Sequence, residues 1–203
     1  MKKLLHIGPA KKKGKSYLGP GFQGDEWQEI RLDVDPAVFP DILENMTDMK
    51  SIQDNSIDAI FTSHTIEHLY PDDVKIAMEE CLRVLKPDGF LVMSCPDLQS
   101  IGNHLAEGRL LDKLYESEEG PITPIDIIYG YRGILSVRRD RRESMSHRTG
   151  FTLPVMIRSL EAVGFPSVIG KRRPSSYEMW VVASKGYLDG EVLKTLASGQ
   201  IPD

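Results

Sequence analysis

Residues 56–97, SIDAIFTSHTIEHLYPDDVKIAMEECLRVLKPDGFLVMSCPD, predict a strand, a polar loop, a helix, a turn and a second strand. The apolar runs at 59–61 and 90–93 mark the two strands. Between them, a helix is expected to begin near Pro71 and to be stopped by Pro87-Asp88-Gly89. Its apolar residues recur at helical spacing and should form one buried face: Val74, Ala77, Met78, Cys81, Leu82 and Leu85.

Two strands joined by such a helix form a right-handed crossover in a parallel sheet. Ligands of these sheets bind beyond the carboxyl ends of the strands. In this chain those ends carry Ser63-His64 and Cys95-Pro96-Asp97. The sequence therefore predicts a binding site built from these residues.

Outside this stretch, further strands are expected at 4–7, 29–34 and 41–43. Thr152 should cap a helix over 153–163, and Gly164 follows its end. The apolar runs at 167–170 and 179–183 predict an antiparallel hairpin, and Leu188, Val192 and Leu196 predict a short tail helix. The fold class that results is α/β, a doubly wound sheet with a C-terminal antiparallel hairpin.

The length of 203 residues predicts a single domain over 1–203. Residues 98–150 have no clear apolar period and few apolar runs, so we expect an insertion, or lid, over the strand ends rather than a second core. Residues 185–203 form a tail whose helix could pack on the body or support a homodimer.

Composition excludes several classes of function. A formal net charge of −5 gives no general attraction to nucleic acid or to anionic membranes. The chain lacks an apolar run of 18 residues, and its N-terminal apolar stretch is too short for a signal peptide. Cys81 and Cys95 fall in a predicted helix and after a strand, which is typical of reduced core thiols, so a cytoplasmic location is expected.

Several stretches together resemble a known family, the class I S-adenosylmethionine-dependent methyltransferases, and within it the small bacterial type 11-like branch. The central ones are DNSIDAIFTSHTIEHL at 54–69 and CLRVLKPDGFLVMSCPD at 81–97. The resemblance extends to shorter segments at 4–8, 33–36, 147–152 and 161–165, and so covers most of residues 3–184. It implies a Rossmann-like methyltransferase sheet, S-adenosyl-L-methionine as cofactor and methyl transfer to a small-molecule acceptor.

The resemblance also implies the cofactor-binding residues, which are Gly8, Pro9, Asp33, Asp35, Asn45, Ser63 and His64. A carboxylate at the end of the second strand can accept hydrogen bonds from both ribose hydroxyls. A glycine after the first strand lets a ligand approach the backbone closely. Here Pro9 and Ala10 depart from the family's usual small or glycine residues, so a non-catalytic relative that binds the cofactor or a protein partner is an alternative.

On the acceptor side, His147 is the expected general base, with His68 facing the same side of the cleft. A base is needed only when the acceptor must lose a proton, because methyl transfer itself depends mainly on placement of the nucleophile. The residues expected to bind an acceptor are Asp97, Tyr129, Tyr131, Arg139 and Arg142. The acceptor and the atom that is methylated stay open.

His64-Thr65-Ile66-Glu67-His68 matches the H-x-x-E-H pattern of a class of zinc peptidases. A zinc-dependent hydrolase using His64, Glu67 and His68 is therefore a third hypothesis. That chemistry needs both histidines on one face of a helix, whereas this segment leaves a strand and meets Pro71 soon afterwards. The methyltransferase family has this pattern without a metal, so no metal ligands are expected.

Overall fold

The structure is a computed structural model that describes residues 1–9, 11, 18–117, 120–137 and 142–202; for Val137 and Arg142 only the backbone is described. The strands are β1 Lys2–Ile7, β2 Trp27–Asp33, β3 Ile42–Leu43, β4 Ile57–Ser63, β5 Leu85–Pro96, β6 Tyr115–Ser117, β7 Gly120–Ile122, β8 Ser167–Arg173 and β9 Glu178–Ser184. The α-helices are α1 Pro71–Val84, α2 Leu98–Ala106, α3 Pro124–Tyr129, α4 Arg132–Val137, α5 Arg142–Met145, α6 Leu153–Ala162 and α7 Gly190–Gln200. Short 3-10 helices lie at Pro20–Phe22, Pro36–Val38 and Ile66–His68.

A seven-stranded sheet, in the order β3-β2-β1-β4-β5-β9-β8, forms the centre of the protein. The first five strands are parallel, and β9 then pairs antiparallel with both β5 and β8. This arrangement confirms the predicted α/β class and the terminal hairpin. The carboxyl ends of β1, β2, β4 and β5 consequently lie along one edge of the sheet.

The two faces of the sheet carry separate apolar cores, as alternation along the strands requires. In β1, Leu5 belongs to the core beneath α1 and α6, whereas its neighbour Leu4 belongs to the opposite core. That second core includes Phe22 of the first 3-10 helix and Ala197 of α7. Helices therefore cover both faces, and the tail helix packs on the body through its buried residues Leu193 and Ala197.

The crossover helix α1 buries the expected face, but it ends at Val84, earlier than predicted. Leu85 already has extended backbone and pairs with Ile57 at the start of β4. Pairing with the sheet thus ends the helix before Pro87 is reached, so the Pro87-Asp88-Gly89 stop was wrongly placed. Cys81 and Cys95 are both free and buried, as predicted.

Residues 98–150 contain more structure than the sequence indicated. Asp97 caps helix α2, which the sequence analysis missed because Ile101 is its one fully buried residue. Ile101, Ile122 and Ile127 form a small apolar cluster within this segment, and the insertion over the strand ends stays a prediction. Each isoleucine comes from a different element, which leaves no periodic signal.

At the start of α6 the structure corrects one detail. Thr152 occupies the N-cap position with extended backbone, but its side chain makes no capping hydrogen bond. Among the described helices, none combines the length and the apolar character needed to cross a membrane.

Candidate functional site

The first predicted ligand loop begins at Gly8, directly after β1. Its φ of +70° lies in the left-handed region, and its N–H donates to the Leu32 carbonyl at 3.0 Å. A Cβ added here would lie 2.2 Å from Oγ1 of Thr65, so only glycine fits against that side chain. The following Pro9 is buried. Gly8 thus brings the loop after β1 into contact with the loop after β4.

Asp33 and Asp35 form an ordered acidic turn at the end of β2. Oδ1 of Asp33 accepts the N–H of Asp35 at 2.8 Å, and Oδ1 of Asp35 accepts the N–H of Ala37 at 2.8 Å. Burial raises the pKa of Asp33, and backbone hydrogen bonds from Asp35 and Val34 partly offset that rise. The turn holds two carboxylates beside the Gly8 loop, because β1 and β2 are neighbours in the sheet.

Asn45 lies farther along the chain, after β3. Its side chain is exposed, and Oδ1 accepts the N–H of Thr47 at 3.1 Å. This bond closes a local turn, in which Asn45 also bridges Asp48.

At the ends of β4 and β5 a pair of serines and a histidine meet. Oγ of Ser63 lies 2.8 Å from Oγ of Ser94, and the N–H of His64 donates to the Ser94 carbonyl at 2.9 Å. His64 has a φ of 52°, an unusual value for a non-glycine residue. This left-handed backbone follows directly on the last residue of β4, Ser63.

The His64 imidazole, 48% exposed, lies between two carboxylates. Nδ1 is 3.3 Å from Oε1 of Glu67, and Nε2 is 3.4 Å from Oε2 of Glu178. Partial burial alone would lower the pKa of His64, but the two carboxylates raise it to about 10. Conversely, burial would raise the pKa of Glu178, and His64 and Arg173 nearby lower it to about 2. His64 is therefore a fixed positive charge at neutral pH.

Glu67 is an almost completely buried acid at this edge, with 1% of its surface exposed. Neither carboxylate oxygen has a hydrogen-bond partner among the described residues. Burial raises the pKa of Glu67, but His64, with His68 and His147, more than offsets this and lowers it below its usual value. The protein thus keeps a buried anion among three histidines.

His68 and His147 face each other, with ring centroids 4.9 Å apart. Nδ1 of His147 lies 2.8 Å from the Ile127 carbonyl, and Nδ1 of His68 lies 3.2 Å from the Ser146 carbonyl. A carbonyl oxygen only accepts, so each Nδ1 carries a proton, and in the neutral ring Nε2 has the lone pair. Burial lowers the pKa of His147, which favours its neutral form.

Backbone hydrogen bonds bring the two histidines together across 79 positions of sequence. The N–H groups of Arg148 and Thr149 donate to the Glu67 carbonyl at 2.8 and 3.1 Å. Nη1 of Arg148 donates to the His68 carbonyl at 2.7 Å. The segment before α6 is thereby fixed on the loop after β4.

Asp97 is completely buried and has an internal role. Its carboxylate accepts the backbone N–H of Gln99 at 3.0 Å, the hydroxyl of Ser100 at 2.6 Å and Nε of Arg172 at 2.6 Å. These bonds occupy both oxygens and favour positioning of α2 over contact with an acceptor.

The other residues predicted to bind an acceptor lie in the segment 120–142. Tyr129 is 61% exposed at the end of α3, and its carbonyl accepts the N–H of His147 at 3.2 Å. Tyr131 packs against the small isoleucine cluster. Arg139 lies outside the described residues, as does the side chain of Arg142.

Sequence reasoning missed Thr65, Glu178 and Arg148 as parts of this site. Glu178 reaches His64 from 114 positions away, at the start of β9, and no local pattern indicates such a contact. Thr65 could have been predicted, because a glycine directly after a strand marks a place where a neighbouring loop can approach the backbone closely. Glu67 was named only within the zinc pattern.

The structure does not build the helix that the H-x-x-E-H zinc hypothesis requires. Residues Ile66–His68 form a single 3-10 turn, and His64 faces Glu67 and Glu178. His64, Glu67 and His68 are therefore not arranged as that class of peptidase would need.

Comparisons with known proteins give one family match and many structural neighbours. The family model described as a methyltransferase domain matches residues 26–93, from the start of β2 to the middle of β5. Among curated proteins, no sequence match is found.

Three solved structures illustrate the fold. The PH0226 protein from Pyrococcus horikoshii OT3 superposes with a TM-score of 0.58 at 14% identity, over 90% of this chain and 81% of the other. The 1,6-didemethyltoxoflavin-N1-methyltransferase from Burkholderia thailandensis, solved with S-adenosylhomocysteine bound, has a TM-score of 0.56 at 13% identity, over 91% and 71%. The CurJ carbon methyltransferase has a TM-score of 0.56 at 15% identity, over 92% and 49%.

At these identities the likeness establishes the fold. The chain spans about half the length of some of these neighbours, with 49% of the CurJ enzyme and 47% of the citrinin polyketide synthase CMeT domain covered.

Proposed function

We propose that this chain transfers a methyl group from S-adenosylmethionine to a small-molecule acceptor, since the family match at residues 26–93 and its structural neighbours support a class I S-adenosylmethionine-dependent methyltransferase of type 11. The observation that carries the proposal is that this match spans the sheet edge that carries Asp35, Ser63 and His64, where the loop after β4 contacts Gly8.

S-adenosylmethionine is supported as the cofactor by the methyltransferase-domain match and by a neighbour solved with S-adenosylhomocysteine bound. The residues at the edge fit such a group. Gly8 has the left-handed backbone that permits close approach, and the acidic turn at Asp33 and Asp35 offers acceptors for ribose hydroxyls. In this proposal Pro9, Asn45, Ser63 and His64 complete the cofactor side.

When bound, S-adenosylmethionine supplies an electrophilic methyl group on a positively charged sulfur. What the chain must provide is orientation, because an in-line displacement depends on placement of the nucleophile. Nδ1 of His147 lies 2.8 Å from the Ile127 carbonyl, so in the neutral ring Nε2 has the lone pair and would accept a proton from an acceptor that must lose one. The His68 ring lies beside it, with the two ring centroids 4.9 Å apart.

The acceptor in this proposal is a small molecule, as 1,6-didemethyltoxoflavin is for the Burkholderia neighbour. The segment that would contact it includes Tyr129, Tyr131, Arg139 and Arg142, with Asp97 holding α2 in place. An arginine and tyrosine set of this kind suits an anionic or sugar-like acceptor.

The test is calorimetric titration of the whole chain with S-adenosylhomocysteine. Asp35→Asn keeps an oxygen that accepts the Ala37 N–H. It replaces the second carboxylate oxygen, which would accept hydrogen bonds from the ribose hydroxyls, with an amide group that only donates. We expect affinity to fall at least tenfold, about 1.4 kcal/mol. Asp72→Asn, an exposed acid in the first turn of α1, is the matched control and should leave affinity unchanged.

Failure of the wild-type protein to bind S-adenosylhomocysteine would overturn the proposal, and equal affinity of a folded Asp35→Asn protein would overturn the ribose assignment. Binding without product formation across a panel of acceptors would favour the second candidate, a non-catalytic relative. One observation favours that candidate: the first loop departs from the family pattern at Pro9 and Ala10.

A further inference from the structure

Three metal-ligating side chains meet at one point beside the cofactor edge. A nitrogen from His68, a nitrogen from His147 and a carboxylate oxygen of Glu67 all lie within 4.8 Å of one another. They come from the 3-10 turn after β4 and from the segment before α6, which backbone hydrogen bonds join.

Both histidines already make the hydrogen bond that metal-ligating histidines make outside the metal site. In such sites the ring nitrogen that does not bind metal donates its proton to a backbone carbonyl or carboxylate, which fixes the tautomer. Here the Ile127 carbonyl takes that proton from His147 at 2.8 Å, and the Ser146 carbonyl takes it from His68 at 3.2 Å. The lone pair of each Nε2 is thereby directed away from its carbonyl.

The Glu67 carboxylate supplies an independent observation. It is 1% exposed, and neither oxygen has a hydrogen bond among the described residues. Among the described residues its ion-pair neighbour is His64, whose Nδ1 is 3.3 Å from Oε1 without hydrogen-bond geometry. Burying a carboxylate whose oxygens accept no hydrogen bond is unfavourable, and His64 offsets that cost only in part because it donates no hydrogen bond to either oxygen. A cation between Glu67, His68 and His147 would coordinate the carboxylate directly.

We propose that Glu67, His68 and His147 form a binding site for a divalent transition-metal cation. Two neutral imidazoles and one carboxylate suit zinc, and the same donor set binds iron in other proteins. Donors at 2.0–2.2 Å from zinc stand roughly 3.3 Å apart, so the three side chains would close by at most about 1.5 Å. Three protein ligands leave a coordination position open for water or another small ligand.

This site differs from the zinc pattern in the sequence, because His147 replaces His64. It also stands independently of the proposed methyl transfer, since it rests on contacts among residues 64–68 and 146–149. His147 cannot act as metal ligand and as general base at the same time, because a lone pair bound to a cation cannot accept a proton. A protein with the cation bound would therefore not use His147 as a base.

The test uses the whole chain, freed of metal with a chelator and then titrated with zinc chloride by calorimetry and by thermal unfolding. We expect one zinc per chain and a rise in melting temperature. Glu67→Gln, His68→Gln and His147→Gln should each weaken zinc binding at least tenfold. His104→Gln alters a partly buried histidine of α2 outside the cluster and should leave binding unchanged.

Each variant is compared with and without zinc, so a loss of stability common to both conditions cancels. Absence of stoichiometric zinc binding by the wild-type protein would overturn the proposal, as would variants that bind zinc as the wild type does. Titration with S-adenosylhomocysteine in the same samples reports the methyltransferase proposal separately, because loss of one binding does not require loss of the other.

Discussion

Two buried acids of this protein, Asp97 and Glu67, show how much the surroundings of a residue decide its role. Both are almost completely buried at the same edge of the sheet. Asp97 receives hydrogen bonds from Gln99, Ser100 and Arg172, so its charge is satisfied internally. Glu67 receives none among the described residues and faces histidines instead. Asp97 therefore stabilises the fold, and the Glu67 carboxylate is available to bind a ligand.

Gly8 gives a prediction at the same scale. Gly8→Ala places a side chain in the left-handed region and against Oγ1 of Thr65. We expect the free energy of unfolding to fall by about 1–3 kcal/mol and affinity for S-adenosylhomocysteine to decrease. Urea denaturation and calorimetric titration would measure the two effects.

Two further variants separate the causes. Gly8→Ala combined with Thr65→Ala removes the closest atoms but keeps the strained backbone, so stability should recover only in part. Gly102→Ala in α2 meets no atom within 4 Å and should be neutral or slightly stabilising. A Gly8→Ala protein as stable as the wild type would contradict the packing argument.

Among the elements, the short helices α3 and α4 are joined by a single acid. Oδ2 of Asp126 accepts the backbone N–H of Thr123 at 3.0 Å and so caps α3. Oδ1 accepts the backbone N–H and Nε of Arg132 at 3.0 and 2.8 Å, which joins α4 to α3. Helices of six residues are too short to be stable alone, so such links hold the segment together.

Asp126 gives a prediction for pH dependence. Burial would raise its pKa, but the bonds from Arg132 and Thr123 lower it to about 2. Because the folded pKa is below the usual value, the stabilisation is complete above about pH 4 and is lost as the pH falls through 2. Asp126→Asn should therefore lower the free energy of unfolding by about 2 kcal/mol at pH 7 and by progressively less toward pH 2.

Urea denaturation between pH 7 and pH 3 would measure this difference. Asp112→Asn, an exposed acid in the same segment, serves as the control and should change stability little at any pH. If the free energy of unfolding of Asp126→Asn stayed below that of the wild type by the same amount down to pH 3, the proposed role of the Asp126 charge would be contradicted.

At the scale of the whole molecule, the sheet organises both the stability and the site. β4 and β5 lie at its centre, with parallel β1 on one side and antiparallel β9 on the other. Apolar cores cover both faces, and the edge strand β3 has only two residues. The loops that carry the candidate site project from the centre, where the scaffold is most rigid.

This arrangement predicts the order of amide hydrogen exchange. Amides of β4 and β5 should exchange slowest, at the rate of global unfolding, because each lies in a paired and covered strand. Amides of β3 and of the β6–β7 hairpin should exchange faster by local opening. Exchange followed by mass spectrometry would test this, and equal protection of β3 and β5 would contradict it.

The sequence by itself determined the order of the elements, the parallel crossover from β4 to β5 and the terminal hairpin. It could do so because apolar period and turn residues are local signals that the sheet then reinforces. It also placed Gly8, Asp35, Ser63 and His64 at one edge, since parallel strands have their carboxyl ends on the same side. The end of α1 and the existence of α2 were missed, because pairing with a neighbouring strand and packing of one isoleucine decided them.

Only the tertiary structure decided which side chains meet at that edge. The contact of His64 with Glu178 spans 114 positions, and the meeting of His68 with His147 spans 79. Such contacts depend on the path of the chain through the sheet and on backbone hydrogen bonds between loops, which leave no periodic pattern. For the same reason the proposed metal site joins Glu67 and His68 to His147, a residue that the H-x-x-E-H pattern does not include.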